Sequence, residues 1–335
     1  MTNIVKQMRA EGVLFAPTGE GYELPIIDMA HPRFFVPDEP AAINAMEKAF
    51  RADDIRRRRI PKFMMRLVLK SAAKKSRLVR ALFGSGEGFL DGLSTYVMKL
   101  GAENLVPPYD DPIDRKFAAS PHIRLLRLRM QQVASMLAEG LKEELLARLR
   151  VPLHLINIGG GPAIDSLNTL MCLKAHGCLQ RPAVIHVLDG DDAGPSFGAK
   201  SLAVLRAEGN PLQGTDITFD HRRYDWNRTT VLEDLVTALK SEHAVIAASS
   251  EGALFEYGTD QAIVANLKAL RAGAMLVAGS VTSAHAMRRR MIADSQFKLF
   301  PRGLQAFSPL AAGAGFAIAQ SRNAMLSDQV LLRPV

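Results

Sequence analysis

"LHLINIGGGPAIDSLNTLM", residues 153–171, decides how the chain has to be read. Six residues dominated by Leu and Ile run into three consecutive glycines, and apolar residues then return at helical spacing. A strand that turns into a helix over bare backbone is suited to close approach. Glycine offers no Cβ, and the first N–H groups of the helix point outward from the turn. Gly159, Gly160 and Gly161 are therefore expected to form the floor of a nucleotide-like pocket.

Downstream, the short apolar runs "AVIHVL", "DITFDHRR", "HAVIAAS" and "GAMLVAGSV" alternate with helical stretches, and "GFAIAQS" and "QVLLRP" lie close enough together to pair as a hairpin. Strand and helix in regular succession imply α/β architecture: a doubly wound, mostly parallel seven-stranded sheet closed by a C-terminal antiparallel hairpin. Upstream, the first ~130 residues show helical spacing wherever they show a period, interrupted by loops at "MAHPRFFVPDEP", "GSGEG" and "LVPPYDDP". A long helical pattern from about Leu125 leads to Pro152. The expected division is a helical cap over 1–124 that selects the substrate, followed by a ligand-binding domain over 125–335.

The chain has 335 residues, 48% of them apolar, which is enough for a sizeable core. Its net charge of +8 is local: residues 51–80 carry twelve Lys or Arg against Asp53 and Asp54, so the other 305 residues sum to −2. Ile60, Phe63, Met64, Leu67 and Val68 form an apolar stripe through this basic segment. Three uses stand open: a solvated helix face, a cap whose arginines attract an acidic substrate, or a surface for membrane or nucleic acid. Nucleic acid ranks last, because stacking aromatics are not interleaved with the charges. No run approaches the ~18 apolar residues of a membrane span, and the start lacks the apolar centre of a secretion signal, so the expectation is a cytoplasmic protein. Cys172 and Cys178 show no metal-ligand spacing; they are read as packing thiols, and no metal site is expected.

The ligand is narrowed by what the glycine turn lacks. The dinucleotide fingerprint would require glycine at position 164, which is Ile164, and no Gly-Lys-Ser or Gly-Lys-Thr follows for a phosphate-cradling loop. The next strand ends on Asp189, placed to accept both ribose hydroxyls. The third ends near "RRYDW", offering Asp225 to an exocyclic amine and Trp226 as an apolar wall. A ribose clamp with an adenine slot and no phosphate grip describes S-adenosylmethionine. Each anchor also has a plainer reading: a tight turn for the glycines, a core residue for Trp226, a satisfied strand end for Asn157.

From about 125 to 335 the chain resembles class I, Rossmann-like S-adenosylmethionine-dependent methyltransferases. The glycine turn, Asp189, "YDW", "LKALRAGAMLVAG" and the closing "AGAGFAIAQSRNAMLSDQVLLRP" fall in family order. Within that family, "INIGGGPAIDSLNTL", "HRRYDWNRTTVLEDL" and "SSEGALFEYGTDQAIVANL" are similar to the leucine carboxyl methyltransferase-like group that includes polyketide O-methyltransferases. The resemblance implies methyl transfer to an oxygen, carboxylate or hydroxyl, of a small acidic or hydrophobic acceptor; a homodimer is one possible assembly, and from the charge pattern no nucleic-acid partner is expected. The resemblance also implies that an arginine on the helix entering the domain grips the methionine carboxylate; Arg129 is the best-placed match, with Arg124 and Arg127 as rivals. Two positions depart from the pattern: Asn157 replaces the acidic residue before the glycines, and Ala163 replaces a further glycine. Asp165 is expected to compensate for Asn157, and Ser249 and Ser250 close the cofactor set. Glu251, Tyr257 and His285 are the candidates for chemistry, with Glu256 beside them, although Glu251 equally suits a helix cap and His285 a solvated helix. Two alternatives remain: aminocarboxypropyl transfer, as in enzymes resembling nicotianamine synthase, and a scaffold that keeps the fold without catalysis.

Overall fold

The structure is a computed structural model that describes residues 11–59, 61–84, 91–148, 150–293 and 297–335. The first described elements depart from the helical expectation. β1 (Phe15–Pro17) and β2 (Glu23–Pro25) form a small antiparallel ribbon. Strands of three residues are too short to display a period, and the turn between them is closed by the Thr18 N–H donating to the Tyr22 carbonyl at 2.7 Å. Helices then dominate: α1 (Pro40–Arg58), α2 (Lys62–Ala73), α3 (Arg77–Gly84), α4 (Gly92–Lys99) and α5 (Pro112–Ala118). Of the apolar stripe expected in the basic segment, Ile60 lies outside the described residues, while Met64 and Leu67 are exposed.

α6 (Pro121–Ala147) starts before the boundary expected after residue 124, because Pro121 at the first helical position fixes φ for the turn. The helix is buried around most of its circumference. One side packs on the sheet; the other is bound by the N-terminal segment through polar contacts to backbone. Gln131 accepts from the Val36 N–H at 2.9 Å and donates to its carbonyl at 2.8 Å, and Arg127 donates to the carbonyls of Lys99 and Leu100 at 2.7 and 2.6 Å. A helix buried on most of its faces has to be covered on both sides, and its buried Arg127, Gln131 and Gln132 need partners there. The cap residues Leu24, Ile26, Phe34 and Tyr96 accordingly share one core with Leu141, Leu153 and Leu155.

The sheet comprises β3 (Leu153–Ile158), β4 (Ala183–Asp189), β5 (Ile217–Arg223), β6 (Val245–Ser250), β7 (Leu276–Thr282), β8 (Phe316–Asn323) and β9 (Ser327–Pro334), in the order β5-β4-β3-β6-β7-β9-β8. All pairs are parallel except those made by β9, which runs antiparallel to both neighbours. β3, β6 and β7 are buried along their whole length, as strands covered on both faces must be, and this is why they read as continuous apolar or small runs. The edges differ: β8 alternates between half-buried and exposed residues after Phe316, and β5 ends in Asp220, Arg222 and Arg223, charges that deter further strand pairing. α6, α7 (Ile164–Ala175) and α8 (Ala193–Arg206) cover one face; α9 (Thr230–Ser241), α10 (Leu254–Tyr257) and α11 (Asp260–Arg271) cover the other, with α13 (Gly303–Gly313), and α12 (Ala286–Ala293) follows β7. Winding reverses between β3 and β6, so ligands are expected outside the carboxyl ends of these strands. Among the described residues, no helix is long and apolar enough to cross a membrane.

Candidate functional site

The glycine turn lies at that reversal. Gly159, Gly161 and Ala163 all have positive φ, at 65°, 49° and 52°, and the turn is tied to the neighbouring strand by Asp189. One Asp189 oxygen accepts the Gly161 N–H at 2.7 Å and the other accepts the Asp191 N–H at 2.9 Å. Burial raises the Asp189 carboxyl above the usual range, and these two N–H donors pull it back down.

The turn is not the bare floor that the sequence suggests. A Cβ at Gly161 would stand 2.8 Å from the Gly92 Cα, and one at Gly194 would stand 2.9 Å from the Gly161 Cα. A Cβ at Gly159 would lie 2.5 Å from that of Ala253 and 3.2 Å from the Trp226 ring. The glycines therefore let the first turns of α4 and α8, together with Trp226, seat directly on the loop. A glycine needed for helix packing and one needed for a ligand look the same in sequence, since both require only an absent side chain.

Beneath the turn is a polar floor. Asn157 and Ser249 sit side by side in the β3–β6 register, and the Asn157 amide donates to Asp165 at 2.7 Å and to Ser166 at 2.9 Å. Asn157 Oδ1 is buried with no hydrogen-bond partner, and the Ser249 hydroxyl faces the Asp165 carboxyl without reaching full hydrogen-bond geometry. Burial, then the nearby Glu251 charge, push the Asp165 carboxyl up, so it holds its proton more tightly than a free aspartic acid. Ser250 is placed differently: its hydroxyl donates to the Ile158 carbonyl at 3.0 Å and accepts the Leu254 N–H at 2.9 Å, so Ser250, and not Glu251, satisfies the first N–H of α10. Asp225 is exposed and accepts from the backbone and side chain of Asn227 at 3.0 and 2.8 Å, a local turn that leaves its other oxygen outward. Trp226 is half-buried, and its carbonyl accepts from Asn266 at 2.7 Å.

Beside the floor lies a buried charge cluster. Glu251 is gripped by Lys99 of α4 and by Arg129 of α6, whose Nη1 also reaches both Glu256 oxygens at 3.0 and 3.1 Å. Burial alone would raise the Glu251 carboxyl, but the Arg129 and Lys99 charges outweigh it and hold the group below the usual carboxylate range. Burial would likewise lower the Arg129 guanidinium, and Glu251 and Glu256 reverse this. A carboxylate held ionised between two cations is a weak base, so the geometry gives Glu251 the task of fixing Arg129 and Lys99. Arg129, for its part, is already engaged by two carboxylates, so it meets a cofactor carboxylate only if that pairing is shared. Tyr257 borders this cluster and is pushed up to about 12 by burial and then by Glu256, keeping its phenol protonated. His285 is exposed at the start of α12 and stands apart from the buried groups.

The structure adds groups that sequence reasoning missed. Lys99 comes from the cap. Thr282 Oγ1, Gln329 Oε1 and Arg288 Nε are buried and unpartnered, further along the same edge. The strand-end position of Thr282 was readable in principle; Arg288 was not, being one of three consecutive arginines in "MRRRM".

No family model matches the chain, and no curated protein matches it. Solved structures overlap it partially. It is similar to magnesium protoporphyrin IX methyltransferase from Synechocystis PCC 6803 with bound S-adenosylmethionine, at 14% identity over 77% of this chain and 96% of that one, with a TM-score of 0.44. Mitomycin 7-O-methyltransferase aligns at 11% identity over 90% of this chain and 74% of that one, with a TM-score of 0.42. An O-methyltransferase from neocarzinostatin biosynthesis aligns at 17% identity over 54% and 49%, with a TM-score of 0.35. Overlaps of this size leave the chemistry to be read from the chain's own residues.

Proposed function

We propose that this chain is an S-adenosylmethionine-dependent methyltransferase acting on an oxygen, carboxylate or hydroxyl, of a small-molecule acceptor. One observation carries the reading. Asp189 closes β4 beside the winding reversal, and next to it Asn157, Asp165 and Ser249 present buried oxygens whose hydrogen-bonding capacity is not filled. The donor set suits the cofactor's amino-acid and ribose ends: these oxygens accept from an ammonium, and each Asp189 oxygen retains a lone pair for a ribose hydroxyl. Trp226 and the outward oxygen of Asp225 serve the purine. S-adenosylmethionine supplies a methyl group on a sulfonium, activated without help from a base.

The protein's own residues then have three tasks. Asp189 and the floor orient the ligand, the Glu251 pairings with Lys99 and Arg129 hold the cap to the sheet, and α6 and α4 exclude water. Because Gly92 rests on Gly161, access over the glycine turn requires α4 to separate from it, giving the cap of residues 1–124 a part in admitting ligands as well as selecting them. The exposed cations of 51–80 lie on the outside of that cap. The same close approach of Gly92 favours a second reading, a scaffold whose turn is filled by its own chain.

Incubation with S-adenosylmethionine and a panel of carboxylic and phenolic acceptors, followed by identification of the spent cofactor, separates these readings. S-adenosylhomocysteine supports methyl transfer, methylthioadenosine supports aminocarboxypropyl transfer, and failure of the folded protein to bind either nucleoside supports the scaffold.

A further inference from the structure

Arg288 lies on α12, just beyond the carboxyl end of β7. It is 6% exposed, its Nε has no partner, and among the described residues no hydrogen bond or ion pair engages it. The charged and titratable groups that face it are Glu256, Arg129 and Tyr257. Glu256 is bonded to Arg129 through both oxygens, and Tyr257 is neutral. In the buried cluster Lys99 and Arg129 are paired with Glu251 and Glu256, and Asp165 stands within the same field. Arg288 alone of the three cations has no ion pair among the described residues. A buried guanidinium without a partner is costly, and the fold gains nothing from it alone.

Two further unpartnered groups lie at the same end of the sheet. Thr282 and Gln329 stand two positions apart on adjacent strands and on one face, since Thr282 pairs with Ser327 and Ser280 with Gln329. The Gln329 amide is anchored on Gln132 at 2.6 Å, one turn along α6 from Arg129, while its carbonyl oxygen and the Thr282 hydroxyl make no bond. A planar cation with a free hydroxyl donor and a free amide acceptor matches an organic acid carrying a second polar group. Guanidinium binds a carboxylate through two parallel N–H donors, and the hydroxyl and amide have the complementary capacities for a neighbouring hydroxyl.

Resting on the methyl-transfer reading, we infer that Arg288 binds the carboxylate of the acceptor, with Thr282 and Gln329 as polar contacts for the group beside it. The substrate class is thereby an organic acid. A carboxylate is also present on the cofactor's methionine, so the test separates the two sources.

Binding of benzoate, 2-hydroxybenzoate and octanoate, each against its amide, is measured by calorimetry on the full chain, with and without saturating S-adenosylhomocysteine. At least one acid is expected to bind wild type tenfold or more tightly than its amide. Arg288→Gln should erase that preference, while Arg289→Gln, an exposed neighbour, should retain it. Equal binding of acids and amides to wild type, or a preference that survives in Arg288→Gln, overturns the inference. A tenfold loss of S-adenosylhomocysteine affinity in Arg288→Gln assigns the carboxylate to the cofactor and overturns it equally. If S-adenosylhomocysteine fails to bind wild type while the Arg288-dependent preference for acids holds, the methyl-transfer reading falls and the acid subsite stands. The thermal midpoint of Arg288→Met is a second readout: an unpaired cation held for a ligand predicts an unchanged or raised midpoint, and a clear fall shows a structural role instead.

Discussion

The sheet buries two polar rows, on opposite faces, and they differ in how fully they are bonded. Toward α9 and α11, His154 and His186 stack with ring centroids 5.2 Å apart, joined Nδ1 to Nε2 at 2.9 Å. His186 Nδ1 continues to Asp220 at 3.1 Å, and Asp220 to Arg222 at 2.8 Å at the solvent edge. With Asp220 as acceptor, His186 donates from Nδ1 and accepts from His154, so this row closes on itself. Toward α6, Asn157, Ser249, Thr282 and Gln329 each keep an atom without a partner, while Ser280 among them accepts the Gly252 N–H at 2.8 Å. Buried polar groups find partners nearly always, so the open atoms set the second row apart from the first, and their place at the carboxyl edge of the sheet is where the proposed ligand would sit.

Mutations test that contrast. The largest effect is expected where both partners are charged. Arg129→Ala leaves Glu256 buried without its cation and should cost about 3–5 kcal/mol in urea unfolding at pH 7. In the closed row, His186→Ala strands the His154 donor and should cost about 1–3 kcal/mol. A loss below a few tenths would show that this row is not a bonded chain.

Acidity sharpens the comparison because the two rows carry opposite signs. Burial, and then His186, lower His154 from 6.5 to about 4, so the unfolded chain binds the extra proton first. Stability is then expected to fall as pH drops from about 6.5 toward 4, by up to about 2 kcal/mol at pH 5, and His154→Phe should flatten that slope. Asp165, raised by burial, contributes stability that is present below the unfolded carboxyl range and is lost as pH rises through its folded value, a slope that Asp165→Asn removes. The smallest effect is expected in the open row. Ser249→Ala deletes a hydroxyl whose polar neighbour, the Asp165 carboxyl, it meets only at poor geometry, and should change stability by less than about 0.5 kcal/mol, while weakening S-adenosylhomocysteine at least threefold. A stability loss as large as that of His186→Ala would mean that Ser249 has an internal partner and the row is closed.

The architecture was legible because buried parallel strands leave unbroken apolar runs: "LHLINI" and "GAMLVAGSV" each mark their strand, and the spacing of "GFAIAQS" and "QVLLRP" foretold the antiparallel close. The N-terminal ribbon was not, being three residues per strand. In the candidate site, Asn157, Asp189 and Ser249 were reachable from strand ends and Asp165 from the helix start after the glycines, which local sequence defines. Lys99 and Arg288 were not. Lys99 meets Glu251 across 152 positions of chain, and only the turn of α12 distinguishes buried Arg288 from exposed Arg289 and Arg290. The occupied glycine turn was hidden for a related reason, because the helix start that fills it lies in another part of the chain.

Calorimetric titration of S-adenosylhomocysteine into the folded protein, wild type and Asp189→Ala, tests the central claim most directly. One molecule per chain is expected to bind wild type, with at least tenfold weaker binding in the variant. No heat from a wild type that melts cooperatively, or equal affinity in both, would contradict it.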